Sequence, residues 1–220
     1  YINKSVKIKE YFKIIGNYIF NKTSKSLKLL DAGCGSGDFL WYMSKNKNID
    51  GYGVDFSNKF ISLAKKKIPK FTFKVKDIRK KISQNKFDIC TCLGTLSAFD
   101  DPFKIVTSLI NITKRGGEII LFDLINENNV NVIVRYQNYF DNDNKWLTAF
   151  NTFSKQKWID EIKKNKSVKK IEFKKFQISI NIKKNKKNPM KTWTTSINNS
   201  KQIVVGTGQM LNYYIVKIKL

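Results

Sequence analysis

In this 220-residue chain, Asp31-x-Gly33-x-Gly35-x-Gly37 is the stretch whose residue types and spacing point most directly to chemistry. The glycines let the backbone turn tightly and let a ligand come close with no Cβ in the way. Leu27, Leu29 and Leu30 before them read as a short apolar strand, and Phe39, Leu40 and Met43 after them fall at helical spacing. The turn therefore leads from a buried strand into a helix whose first N–H groups can face an anionic ligand group. A dinucleotide turn of the form G-x-G-x-x-G would need a third glycine at position 38, where Asp38 stands.

Stepping along the chain, acids recur where strands end. Asp50–Asp55 is a second strand closed by Asp55, 18 residues after Gly37. An acid there can accept both ribose hydroxyls of a nucleoside. Ser57 then caps a helix through Ile61, Leu63 and Ala64. Phe71–Val75 alternates as a third strand and leads to Asp77 and Ile78. Phe87–Leu96 covers a fourth strand and the loop beyond it. Asp100-Asp101-Pro102 opens a helix with Ile105, Val106, Leu109 and Ile110 on its core face, and either Asp can cap it. Lys114-x-Gly116-Gly117 turns into the strand Ile119–Leu124, completing five αβ steps.

Taken together these segments resemble motifs I, II, IV and V, and a looser third motif, of the class I S-adenosylmethionine (SAM)-dependent methyltransferases, in their small-molecule branch. The resemblance implies an α/β fold. It further implies that residues 1–220 form a single Rossmann-like domain whose mostly parallel sheet has seven strands in the order 3-2-1-4-5-7-6, the seventh antiparallel. Residues 27–124 would bind the cofactor, 125–152 would form a substrate lid after strand 5, and 153–220 would close the sheet. The implied cofactor is SAM, leaving S-adenosylhomocysteine, with no metal. The positions that match the family's cofactor contacts are Asp31, Gly33, Cys34, Gly35 and Gly37 at the turn, and Asp55 and Phe56 after the second strand. Asp77 would accept from the adenine amino group, the Ile78 backbone would lie beside the ring, and Leu93 would border the sulfonium. A helix over residues 5–21, with Val6, Ile8, Tyr11, Phe12, Ile15 and Ile19 as its apolar positions, either covers the cofactor cleft or simply packs.

The chain has no histidine, which removes a His general base and any His metal ligand. The remaining candidate bases are Asp100, Asp101 and Glu127, with Asp123 a further carboxylate near the same strand ends. Cys92 lacks the preceding proline that a pyrimidine-methylating nucleophile carries, and Cys90 and Cys92 read as buried strand cysteines. Three cysteines without framework spacing fit a reducing, cytoplasmic setting. No membrane-spanning run or signal peptide is visible, and the start at Tyr1 rather than Met leaves the natural N-terminus open.

The net charge of +25 invites a nucleic-acid partner. Against it, only three of the 42 basic residues are Arg, and the excess divides evenly, +12 over residues 1–124 and +13 over 125–220, with no basic arm set apart. The expected acceptor is a small polar, sugar-like or anionic molecule, with O-methylation in bacterial surface-glycan synthesis as the favoured setting. An RNA methyltransferase, an N-methyltransferase of a small amine and a non-catalytic SAM-binding protein are the alternatives. Residues 125–152 crowd Tyr136, Tyr139, Phe140, Trp146 and Phe150 without a clear period, either as a lid over a ringed substrate or as an excursion that simply packs. Within them Arg135, beside Tyr136, either clamps an anionic group on the acceptor or stacks on an aromatic ring. Ser154–Lys164 reads as a helix, Val168–Ile182 as a long strand with a bulge at Lys174-Lys175, residues 189–208 as a long connection, and Met210–Leu220 as the closing strand.

Overall fold

A computed structural model describes residues 8–22, 26–80, 82, 86–138 and 145–220. In chain order the first part gives α1 (Glu10–Phe20), β1 (Leu27–Ala32), α2 (Asp38–Met43), β2 (Ile49–Asp55), α3 (Asn58–Lys67), β3 (Thr72–Val75), β4 (Phe87–Leu93), α4 (Phe103–Ile112) and β5 (Thr113–Asn126). Then come three two-residue strands, β6 (Arg135–Tyr136), β7 (Leu147–Thr148) and β8 (Phe153–Ser154), followed by α5 (Lys155–Lys163) and β9 (Lys170–Lys175). The chain ends in β10 (Trp193–Ile197), β11 (Ser200–Val204), β12 (Met210–Leu211) and β13 (Tyr213–Lys219).

The main sheet runs β3-β2-β1-β4-β5-β13-β9, with the short β8 added beside β5. β1 to β5 are parallel, and β13 is antiparallel to both β5 and β9, so the expected order and the one reversed strand are both present. A parallel sheet must be covered on both faces. One face buries Phe12, Ile15 and Ile19 of α1 with Phe39, Leu40 and Ile61, and the other buries Leu109 and Ile110 of α4 with Trp158 and Ile162 of α5.

Local signals place several boundaries. Ser57 accepts from the Phe60 N–H and Ser154 from the Lys157 N–H, so each caps the helix that follows it. Other boundaries differ from the pattern. α1 begins at Glu10, and the part of the expected helix before residue 8, with Val6, lies outside the described residues. The described residues between β3 and β4 form no helix. β9 stops at Lys175 instead of bulging on to Ile182. Past Phe176, whose N–H still reaches the Tyr213 carbonyl, the chain leaves the sheet to build a separate one.

That second sheet, β10-β11-β12, replaces the expected connection over 189–208 and takes Met210 and Leu211 away from the closing strand. Its hairpin turns at Asn198-Asn199, with φ of 48° and 60°. Asn tolerates this left-handed region, and two such residues in succession suit a tight hairpin. Ile203, Val205 and Leu211 form a small core with Leu124, seating the module on the end of β5. The lid region is an interrupted ladder: Val132 bridges Thr152, and β6 pairs antiparallel with β7. Tyr139 and Phe140 lie outside the described residues.

Candidate functional site

At the β1–α2 turn, Gly33, Gly35 and Gly37 have φ of 75°, 53° and 76°, the region that side chains resist. A Cβ on Gly33 would stand 2.7 Å from Thr95 Oγ1, whereas one on Gly35 would meet nothing within 4 Å. The turn is therefore pressed against the post-β4 loop on one side and borders open space on the other. The first turn of α2 already carries an anion of its own, Asp38, paired with Lys67.

Asp31 and Asp55, near the ends of the neighbouring strands β1 and β2, stand beside this turn, and Asp123 is a third buried carboxylate on β5. Asp31 is buried and accepts from Thr91 Oγ1 at 2.8 Å. Burial pushes its carboxyl up to about 7, and the charge of Asp55 adds to the rise. Asp55 accepts from the Gly35 N–H on one oxygen and from the Ser57 N–H on the other, each at 2.9 Å. Those bonds fix the carboxylate while leaving a lone pair on each oxygen, as a diol partner requires. Phe56, next to it, is 79% exposed, an apolar ring standing where a flat ligand could lie.

Asp123 at the end of β5 is buried and accepts from the backbone N–H groups of Leu96, Ser97 and Leu124 at 2.5, 3.1 and 2.8 Å. It ties the post-β4 loop to β5.

The other expected positions are distributed less simply. Asp77 is held by Arg79, whose Nε and Nη2 donate to its carboxylate and pull it down to about 2. A second partner must share those oxygens. Ile78 is buried in the core, so its backbone is what it can offer. Cys34 is buried, with its Sγ 3.6 Å from the Gly35 carbonyl, and Leu93 packs against the α1 side of the sheet. Burial pushes the thiols of Cys34, Cys90 and Cys92 upward, which keeps all three protonated and poorly nucleophilic.

Each proposed base has a partner. Asp101 Oδ1 accepts from the Phe103 N–H at the start of α4. Asp100 pairs with Arg135 Nη2 at 2.5 Å and accepts from Asn151 Nδ2. Glu127 pairs with Lys175 and accepts from the Tyr214 hydroxyl, contacts that lower its carboxyl. Arg135 is thus not free: its guanidinium joins the lid to the loop before α4. Asn151 reinforces this junction by donating to the Phe99 carbonyl and accepting from the Val134 N–H.

Sequence reasoning missed an aromatic stack beside the turn. Tyr11 of α1 stacks on Phe122 of β5 at 3.9 Å between centroids, and Phe122 stacks on Tyr213 of β13 at 5.0 Å. Phe176 meets Tyr11 and Phe122 edge-on. Lys9 Nζ donates to the Tyr11 hydroxyl at 3.2 Å, and that hydroxyl lies 4.0 Å from where a Cβ of Gly94 would be. Tyr11 could have been suspected only as an apolar helix position, because its partners are more than a hundred residues away.

A cavity of about 400 Å³ lies between the lid and the C-terminal module, walled by Arg135, Tyr136 and Asn138 on one side and Pro189, Met190 and Thr207 on the other. The root of this lid is bonded to the post-β4 loop through the Asn151 N–H and the Ser97 carbonyl. Among the described residues no cluster of three or more His, Cys, Asp or Glu side chains could hold a metal ion.

Comparisons with known proteins agree with this layout. Residues 23–177 match the family described as a methyltransferase domain. The chain is 34% identical over 115 residues to the tRNA U34 carboxymethyltransferase of Helicobacter acinonychis, covering 48% of this chain and 44% of that protein. It is 32% identical over 112 residues to the ubiquinone biosynthesis O-methyltransferase of Coxiella burnetii, covering 48% and 47%. The chain thus spans less than half the length of these curated relatives. The solved magnesium protoporphyrin IX methyltransferase from Synechocystis, crystallised with bound SAM, superposes with a TM-score of 0.58 at 14% identity, covering 96% of this chain and 79% of that one. That likeness is one of fold.

Proposed function

The chain belongs to the class I SAM-dependent methyltransferases, and from that premise we propose that it methylates a small, polar, ringed acceptor held under its lid. The turn residues fit the cofactor. Gly35 leaves the space a nucleoside-bearing ligand needs, and Asp55 is fixed with acceptor capacity to spare. Asp31, Gly33, Cys34, Gly35 and Gly37 would line its amino-acid and ribose end, Asp55 the ribose hydroxyls, Phe56, Asp77 and Ile78 the adenine, and Leu93 the sulfonium. SAM supplies an activated methyl group on sulfur. The task left to the chain is to hold an acceptor atom in line with that group and to exclude water.

The observation that carries the acceptor reading is the cavity beneath the lid. Its volume of about 400 Å³ suits a small metabolite, and Arg135 and Tyr136 are in its wall. A sugar or sugar derivative of a surface-glycan pathway is the acceptor we favour, with a phosphate or uronic carboxylate taken by Arg135 in exchange for Asp100. Asp100, once released, is our candidate to take the proton of a hydroxyl acceptor.

The net charge and the tRNA-directed relative favour an RNA acceptor as the second reading. Transfer of labelled methyl from SAM to a panel of nucleotide sugars, with unmodified tRNA alongside, separates the two. Label in the sugars supports our reading, and label in tRNA alone overturns it. Calorimetry tests the cofactor half independently. Asp55→Ala is expected to weaken SAM binding by roughly 2–4 kcal/mol, through lost charge-assisted bonds and a released Gly35 turn. An unchanged affinity with the fold intact would place the ribose elsewhere.

A further inference from the structure

The C-terminal module carries a surface that methyl transfer does not require. From residue 173 to 220 the chain has ten lysines and no acid. Five of them, Lys183, Lys184, Lys186, Lys187 and Lys191, lie beside the β10-β11-β12 sheet and are exposed, while Lys201 of β11 has the strand parity of Ile203 and donates to the Ser179 carbonyl. The even split of charge between the two halves of the chain thus hides a basic stretch, which the fold places on one appendage.

The pairing register shows what stands among these lysines. Trp193 is opposite Val204, and Val204 is opposite Met210, so the three side chains form a row across three strands. Side chains alternate between faces along a strand. Ile203 and Leu211, on the other face, are buried in the small core under the module. The row with Trp193, and Ile197 further along β10, therefore belongs to the outward face. Met210 is 61% exposed there and Ile197 is 42% exposed. The Lys184 ammonium sits 4.7 Å over the Trp193 ring, joining the apolar row to the basic loop. The lid continues this character: Val130, Ile133, Trp146 and Leu147 are exposed as well.

We infer that the outward face of this module, with the adjoining lid, docks on an anionic phospholipid surface. Charge complementarity selects the partner: lysine ammoniums act as point charges toward a headgroup layer and need no fixed geometry. The apolar residues select lipid over nucleic acid. They are mostly aliphatic, suited to the acyl boundary, whereas single-stranded nucleic acid is gripped by aromatic faces, and the one ring in this row is covered by Lys184. No arginine follows Arg135, although arginine is the residue best matched to phosphate and base edges. Among the described residues no helix is long and apolar enough to cross a membrane, so the contact would be peripheral. It would present the lid cavity at the bilayer surface.

Co-sedimentation of the full chain with phosphatidylcholine vesicles, with and without 40% phosphatidylglycerol, tests this at roughly 0.15 M salt. The expected result is at least about tenfold tighter binding to the anionic vesicles. Lys183→Gln, Lys184→Gln, Lys186→Gln and Lys187→Gln combined should lower that affinity by about a hundredfold or more. Ile197→Asp with Met210→Asp should lower it about tenfold without altering SAM binding, which also reports that the variants are folded. Equal binding to both vesicle types, or none to either, overturns the proposal. So does tight binding to polyuridylate that survives Ile197→Asp with Met210→Asp, which would make the face a nucleic-acid surface.

Discussion

Residues 27–124 and residues 125–220 share one sheet and both carry acids paired with cations at the surface, but among the described residues only the first also buries carboxylates. In the first region Asp31, Asp55 and Asp123 are buried at strand ends and held by backbone N–H groups or a buried hydroxyl. In the second, Glu127, Glu161 and Glu172 are at the surface and paired with lysines. A buried carboxylate in a preformed cradle fixes a loop to within a few tenths of an ångström and is costly to disturb. An exposed ion pair is worth little and can exchange partners. The contrast suits a domain that holds one cofactor rigidly and closes over its acceptor with a part that can give way.

The largest effect should come from the buried acid that ties the post-β4 loop to β5. Asp123→Ala leaves the N–H groups of Leu96, Ser97 and Leu124 without their acceptor, and about 3–5 kcal/mol of stability should be lost by urea denaturation. A loss under 1 kcal/mol would dissolve the contrast.

Next is a pH dependence set by Asp31. Its native carboxyl titrates at about 7, whereas an unfolded one titrates near roughly 4. Between those values the native chain holds a proton that the unfolded chain has released. This contribution to stability is therefore complete below about pH 4, declines as pH rises and is gone above about 7, at up to about 1.4 kcal/mol per pH unit. Asp31→Asn should flatten the difference in urea midpoint between pH 5 and pH 8, and an unaltered difference would show that burial of Asp31 does not govern it.

The smallest effect belongs to the lid. Arg135→Lys replaces one exposed ion-pair donor with another, so the melting temperature should move by no more than about 2–3 °C. A larger fall would mean that the lid is built as rigidly as the cofactor region.

The difference between the regions also governed how much of each could be read in advance. The Asp31-to-Gly37 spacing, the acids at 55 and 77 and the apolar periodicity were enough to lay out β1 to β5 along the chain, because each signal lies within a dozen residues of what it shapes, whereas their order in the sheet followed from the resemblance to the methyltransferase family. One further local signal was available and passed over: Asn198-Asn199 between alternating segments marks a hairpin, where a connection had been expected.

Periodicity and turn chemistry act on φ and ψ over a few residues, and the amino-acid sequence by itself thus determined the strands β1 to β5, the glycine turn and the caps at Ser57 and Ser154. The partners of the functional side chains were decided only in the tertiary structure. Arg135 reaches Asp100, Glu127 reaches Tyr214, and Tyr11, Phe122 and Tyr213 stack across most of the chain's length. No local preference specifies such pairs. They form because β13 inserts antiparallel beside β5 and α1 packs over the same strand, so the closure of long loops, set by burial of the two sheet faces, determines which polar groups and rings meet.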